Sequence, residues 1–281
     1  MRREPDPGLL SINTATLWES CDLRQAVEAI RRHGIRGIAP WRDRVAQAGL
    51  TEAARILRDS GLVVTGLCRG GMFPAPTRSQ REAAIDDNRR AVDEAAAIGA
   101  RCLVIVAGGL PEGSRDLPGA RAMVRDGLAA TLDHARAAGV PVAVEPLHPL
   151  YCADRACINT LEQALDLCDE LDASRSGEIG VLVDTYHVWW DPRLRGQIER
   201  AGAKRLLGFH LSDWLVPTRD LLRDRGMMGD GVIDIPLIRV WMEAAGYRGM
   251  NEVEILSANN WWKKTPDEVL ATCRARHQTA C

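Results

Sequence analysis

No apolar stretch in the 281 residues approaches the roughly 20 needed to cross a bilayer. The opening MRREPDPGLLSIN is charged and then broken by prolines before any apolar h-region. Neither a signal peptide nor a membrane partner is expected. Charge of neither sign dominates: 36 Lys and Arg stand against 38 Asp and Glu, a net of −2. Nothing in that balance calls for nucleic acid. Eight cysteines are present but no CxxC pair, and most lie in apolar periodic segments, where a reduced thiol is a small hydrophobe. A cytoplasmic, disulfide-free protein is expected. Cys152 and Cys157 have no second pair to complete a metal site. The chain also lacks a glycine-rich turn after its first strand-like run, where NTATLWES follows. A dinucleotide-binding open sheet would place a phosphate-cradling turn there.

What is present alternates. Strand-like runs fall at Leu9–Leu17, Ile35–Pro40, Leu62–Cys68, Cys102–Ala107, Val140–Glu145, Ile179–Asp184, Leu206–His210 and Asn251–Leu256. Helical patterns fall at Asp22–His33, Asp43–Ser60, Gln80–Ile98, Arg115–Ala138, Thr160–Leu171, Pro192–Ala201, Ile235–Ala245 and Pro266–Arg276. Gly34, Gly61, Gly99, Gly139, Gly202 and Gly246 follow helices at their expected stops. Eight strands and eight helices in strict alternation predict an α/β fold, a single (β/α)8 TIM barrel. With no low-complexity linker, residues 1–281 read as one domain. The Pro-rich stretch Gly70–Thr77 and the long segment Leu211–Ile235 are expected as loops at the mouth.

Four polar residues end four of the apolar runs. Glu145 ends VPVAVE, Asp184 ends IGVLVD, His210 ends RLLGFH and Glu254 ends EVE. Barrel enzymes place their working groups at such strand ends, and neighbouring strands are about 4.8 Å apart. The four can therefore converge on one divalent cation, with Mn²⁺ first in order and Mg²⁺, Co²⁺ or Zn²⁺ as alternatives. Glu252, two residues before Glu254, shares its face one layer deeper. It either orients a ligand or pairs with a lysine or arginine on a neighbouring strand.

The segments EPLHP, NTLEQALDLCDE, VLVDTYH, GFHLSDW, RGMMGDGVID and GYRGMNEVEI resemble the sugar phosphate isomerase/epimerase family of xylose-isomerase-like barrels. The resemblance runs from about Glu145 to the end. It implies a Glu-Asp-His-Glu metal site on Glu145, Asp184, His210 and Glu254. It also implies that the two glutamates act as catalytic acid and base, exchanging a substrate proton on opposite faces of one carbon. A metal chelating a carbonyl and a neighbouring hydroxyl would acidify that proton, and a carboxylate within reach would remove it. His187 matches the DxxH pattern, implying contact with a substrate oxygen; a core histidine is the other reading. Arg225 matches R-xxx-G-x-G, implying contact with a substrate hydroxyl; an ion pair with Asp224 or Asp230 is the other. Where ketose epimerases usually carry Asn and then Glu after the fifth strand, this chain has His148 and Tyr151. His148 is an added acid or base, or a hydrogen-bonded loop residue.

Eight tryptophans against two Phe and three Tyr are unusual. Trp18, Trp41, Trp189, Trp190, Trp214, Trp261 and Trp262 follow predicted strands. They are expected to ring the mouth and stack on a sugar face or on an aromatic group such as the flat aglycone of a glycoside, with Trp18 and Trp214 as substrate contacts; a loop layer or a subunit interface is the plainer alternative. The leading expectation is a metal-dependent isomerase or epimerase of a ketose or keto-sugar. The second is a lyase on the same scaffold, dehydrating an inosose or cleaving an oxo-C-glycoside. A base-excision endonuclease would want more than six histidines and a basic groove. A non-catalytic barrel would not need all four ligands. The expected partner is a small sugar or glycoside, with a second copy or a partner subunit left open.

Overall fold

In the computed structural model, which describes residues 4–281, nine parallel strands form one sheet. They are β1 (Leu10–Asn13), β2 (Gly37–Ala39), β3 (Val63–Val64), β4 (Leu67–Gly71), β5 (Leu103–Val106), β6 (Val142–Glu145), β7 (Ile179–Asp184), β8 (Leu206–Leu211) and β9 (Asn251–Val253). The lateral order β3-β2-β1-β9-β8-β7-β6-β5-β4 brings the sheet round until its two edges are chain neighbours. β3 and β4 are halves of one expected strand, the first paired to β2 and the second to β5. A bridge from Trp41 to Cys68, with the Cys68 amide donating to the Pro40 carbonyl at 3.1 Å, spans the seam. Nine strands thus make eight staves of a nearly closed parallel barrel, the (β/α)8 architecture expected from the alternation.

The helices are α1 (Leu23–Arg32), α2 (Arg42–Ala48), α3 (Leu50–Ser60), α4 (Arg78–Ala97), α5 (Leu117–Ala138), α6 (Leu161–Leu171), α7 (Thr185–Val188), α8 (Leu194–Arg205), α9 (Ile235–Ala244) and α10 (Pro266–Ala280). Capping boxes at Asp22/Gln25, Thr77/Gln80 and Thr265/Glu268 start α1, α4 and α10. The expected helix Asp43–Ser60 is two helices, because Gly49 (φ 81°, ψ 134°) leaves helical space between them. The four-residue α7 was not expected; the Asp184 carboxylate starts it by accepting the Tyr186 amide at 2.8 Å. The first strand is shorter than Leu9–Leu17, since the Asn13 side chain caps a 3₁₀ turn at Thr14–Leu17. No described helix is long and apolar enough to cross a membrane.

All residues of β5, β6 and β7 are buried, as staves covered by helices outside and filled by side chains inside must be. Each such Val, Leu or Ile adds roughly 1.5–3 kcal/mol by leaving water. Cys68, Cys102, Val104, Ala143 and Leu182 form one apolar cluster of the lumen, and Thr65 and Glu252, bonded at 2.6 Å, are polar groups below the rim.

One stave departs from regularity. The β4–β5 register shifts between Cys68 and Gly70, so Arg69 is the extra residue of a bulge. Bulges beside active sites re-aim a side chain. Asn88 from α4 holds this one, its Oδ1 accepting the Gly71 amide at 2.6 Å and its Nδ2 donating to the Gly71 carbonyl at 2.8 Å. Gly71 sits at φ 106°, where a Cβ would lie 1.8 Å from the Val106 carbonyl oxygen, so only glycine fits.

Candidate metal centre

The ends of four adjacent staves meet at the rim. Glu145 and Asp184 are the last residues of β6 and β7, His210 is the penultimate residue of β8, and Glu254 directly follows β9. Asp184 lies beside His210 in register, and the Glu254 amide donates to the Leu211 carbonyl at 3.1 Å. One ligand atom from each of Glu145, Asp184, His210 and Glu254 lies within 4.8 Å of all the others, and all four residues are buried.

The imidazole of His210 is engaged at one nitrogen and open at the other. Its Nε2 contacts Glu252 Oε1 at 2.8 Å. Its Nδ1 points into the cluster, 3.7 Å from Glu145 Oε1 and 3.6 Å from Glu254 Oε2. That Nδ1 and Glu145 Oε1 are buried without a hydrogen-bond partner. Leaving such an atom unsatisfied costs roughly 1–3 kcal/mol. Two atoms bound to one cation at about 2.1 Å are at most about 4.2 Å apart, so these separations suit a shared ion. Three carboxylates and one imidazole are a donor set for a hard or borderline divalent metal, and the residues fit it.

Electrostatics agree. Burial pushes the Asp184 carboxyl up to about 7, reinforced by Glu145 and Glu254 and opposed by Arg225. Burial also raises Glu254, but His210 and Arg225 outweigh it and hold that carboxyl at about 2. Burial disfavours charge on His210, yet Glu252 and Glu254 hold its pKa well above the ordinary value. Without a cation the cluster keeps protons where a metal would otherwise sit.

Glu252 resolves to the first of its two readings. Besides His210 it accepts Asn13 Nδ2 at 2.8 Å and Thr65 Oγ1 at 2.6 Å. A carboxylate on the remote nitrogen fixes the imidazole's tautomer and aim. Asn13 also donates to Glu254 Oε1 at 3.1 Å. Arg225 is not paired with Asp224 or Asp230. Its Nη1 donates to Asp184 Oδ2 at 3.2 Å and Glu254 Oε2 at 3.1 Å, and its guanidinium lies over the Tyr186 ring at 4.6 Å. Its Nη2 meets His187 Nε2 at 3.1 Å, while His187 Nδ1 faces the His148 amide at 3.2 Å. Burial holds His187 well below its ordinary pKa, so it is neutral. A neutral imidazole carries one N–H, so one of these contacts sets donor against donor. An acceptor oxygen inserted between His187 and Arg225 would satisfy both.

Above the cluster lies a cavity of about 30 Å³, whose wall includes Glu145, His187, Arg225 and Glu254 together with Trp41 and Leu222. That is room for a water or two. Its roof comes from the long segment after β8, where the Leu221 carbonyl accepts both the Tyr151 and the Tyr186 hydroxyl, the latter at 2.9 Å.

The expected tryptophan collar is not at the wall. Trp41 lines the cavity; Trp18 stands behind it, edge-on at 5.6 Å and covered by Arg44 at 4.5 Å. Trp214 is stacked on Tyr186 at 4.7 Å. His148 packs against Trp214 and Trp190 at 4.8 and 5.7 Å, and its Nδ1 accepts the Leu150 amide, which makes it a loop residue here. Following a strand places a residue near the mouth, but the turn of α7 and the backbone of each loop decide which way it faces. These indoles support the loops from behind. Two charged groups on the wall escaped the sequence reading, Arg155 and Arg69, the latter because its direction depends on the bulge; so did Asn13, which holds Glu252 and Glu254 from beside the cluster and was hidden because the first strand was drawn too long.

Comparison with known proteins accords with this architecture. The sequence profile of the xylose isomerase-like TIM barrel matches residues 27–273. A crystallographically solved protein of Sinorhizobium meliloti 1021 is 61% identical, with a TM-score of 0.95 over 98% of this chain and 99% of that one. At 19% identity, the IolI protein with a bound zinc atom superposes with a TM-score of 0.79 over 95% of each chain. The 3-keto-D-glucoside 4-epimerase YcjR of E. coli, at 21% identity, gives 0.74 over 95% of this chain and 99% of that one. The last two share the fold. No curated protein matches the chain significantly. With nearly its whole length covered by one profile, the chain belongs to the xylose isomerase-like TIM barrel family.

Proposed function

We propose that the protein is a divalent-metal-dependent isomerase or epimerase that exchanges a proton beside the carbonyl of a ketose or keto-sugar. The observation that carries this reading is the pair of buried, partnerless atoms, His210 Nδ1 and Glu145 Oε1, facing one another among three carboxylates. Glu145, Asp184, His210 and Glu254 would hold the ion. When bound, a divalent cation polarises a carbonyl and stabilises negative charge developing on its oxygen.

The rest falls to side chains. Glu254, held ionised by His210 and Arg225, is the carboxylate that takes the proton, at Oε2. Glu145 reaches the same space from the opposite side of the cluster, from β6, and returns a proton to the other face of the carbon. Arg225 and His187 orient a substrate oxygen through the donor pair described above. Leu222 and Trp41 exclude water from the exchanging proton. The cavity favours this reading over cleavage of a glycoside: a flat aglycone would need an aromatic collar, and Trp41 is the one tryptophan among the wall residues.

The test is incubation of ketoses, inososes and oxo-glycosides with the Mn²⁺-loaded protein in D₂O, followed by mass spectrometry. Deuterium gained with the carbon skeleton intact is expected. Loss of water or an aglycone would replace the proposal with the lyase, and no exchange in any substrate would refute it.

A further inference from the structure

Arg69 and Arg155 also line the cavity, and proton exchange by the four-residue cluster gives them nothing to do. Neither forms an ion pair or a side-chain hydrogen bond with any described residue, and Arg69 Nε is buried without a partner. The contrast with their surroundings is sharp. Asp87 and Glu94, on the far side of Arg69, are already held by Arg42, at 2.8 and 2.7 Å. Arg225 has Asp184 and Glu254. Arg155 lies over the ring of Tyr151 at 5.9 Å, which steers it without neutralising it. Burial and the like charge of Arg155 both lower the pKa of Arg69, so the fold holds two cations together against their own repulsion. Arg69 is also aimed by construction: it is the bulged residue of β4, clamped through Gly71 by Asn88. A bulge so fixed is a means of presenting one side chain. With a divalent ion in the cluster, the cavity's three guanidiniums and the ion outnumber Glu145, Asp184, Glu252 and Glu254 by one positive charge.

We propose that Arg69 and Arg155 receive an anionic group of the substrate, a carboxylate or a phosphate, while its carbonyl faces the metal cluster. The substrate is then a keto-sugar acid or a sugar phosphate, not a neutral ketose. Arginine's planar fork matches both oxyanions. The inference rests on the proton-exchange reading of the cluster and narrows its substrate class.

Three probes share one carbon skeleton: D-glycerate, glycerol 3-phosphate and glycerol. Each is titrated calorimetrically into the full chain loaded with Mn²⁺. At least one anion is expected to bind about tenfold or more tightly than glycerol, as charge-assisted pairs allow. Preference for glycerate identifies a carboxylate; preference for glycerol 3-phosphate identifies a phosphate. Arg69→Gln and Arg155→Gln should each remove most of the advantage, and Arg69→Lys should keep part of it. Circular dichroism melting checks that each variant folds; if Arg69→Gln does not, Arg155→Gln on its surface loop carries the test. Equal binding of glycerol, or an anion advantage that survives Arg155→Gln and the double variant, overturns the proposal, since the anion would then be sitting on the metal alone. Deuterium exchange on the same samples separates the two readings. Exchange of neutral ketoses without anion preference defeats this inference alone, whereas anion preference without any exchange defeats the epimerase and leaves the subsite.

Discussion

Two buried charge clusters in this barrel are made of similar parts and finished differently. Below the sheet, Arg205 is 0% exposed; its Nη1 donates to Asp172 Oδ2 at 2.9 Å and to the Ile179 carbonyl at 2.6 Å, and its Nη2 donates to the Cys168 carbonyl at 3.1 Å. Asp172 in turn accepts Ser174 and Ser176. Burial raises that carboxyl, but the serines and Arg205 overcome it and hold it at about 2. At the rim, Glu145 and His210 are buried with atoms left open. The Arg205 network leaves one guanidinium nitrogen, Nε, without a partner, but its charge is met by Asp172 and three carbonyls; at the rim the open atoms, His210 Nδ1 and Glu145 Oε1, are 3.7 Å apart and face one another, the pattern of a functional site.

The largest test of that difference is Arg205→Ala, which strands Asp172 and should cost about 3–5 kcal/mol of stability. At the rim, Asp184→Asn should leave the metal-free melting temperature equal or higher, because it removes a like charge. Comparable losses at both places, read by chemical denaturation, would erase the distinction. Next come Glu145→Gln and Glu254→Gln, each expected to lower deuterium exchange by about 10²–10⁴-fold, the span of general acid–base catalysis. Near-normal rates in either, with the fold retained, would remove that glutamate from proton transfer. Glu252→Gln should weaken Mn²⁺ binding by about 10–100-fold, as loss of an imidazole's supporting carboxylate does. Unchanged affinity would show that Glu252 merely fills the lumen.

Acidity provides the subtlest comparison. Asp184 has its carboxyl raised from 3.8 to about 7. In the metal-free protein its contribution to stability is therefore fully present below 3.8 and lost as pH rises through about 7. A cation requires the ionised form, so Mn²⁺ affinity should climb by up to about tenfold per pH unit below 7 for this proton and flatten above it. The stabilisation by Mn²⁺ seen in thermal melts should grow between pH 6 and 8. Affinity that falls with rising pH would contradict the assigned proton.

The barrel and its rim cluster were legible because both follow from short-range pattern. Glu145, Asp184 and His210 each close an apolar run, and Glu252 follows from Glu254 by the strand's period of two. What escaped depends on backbone geometry away from regular structure. Gly49 splits a helix by one pair of dihedral angles, α7 turns on a single capping carboxylate, and one extra residue in β4 decides where Arg69 points. The tryptophan count reported a wealth of indoles but could not say which side of a loop they would cover.

The roof illustrates how one atom can take two anchors. A carbonyl oxygen has two lone pairs, and that of Leu221 receives phenols rooted beyond two different staves, Tyr151 past β6 and Tyr186 past β7. Slackening one anchor alone leaves the segment fastened by the other. The two phenols thus back one another, and the position of the segment over the cavity does not hang on either hydroxyl alone.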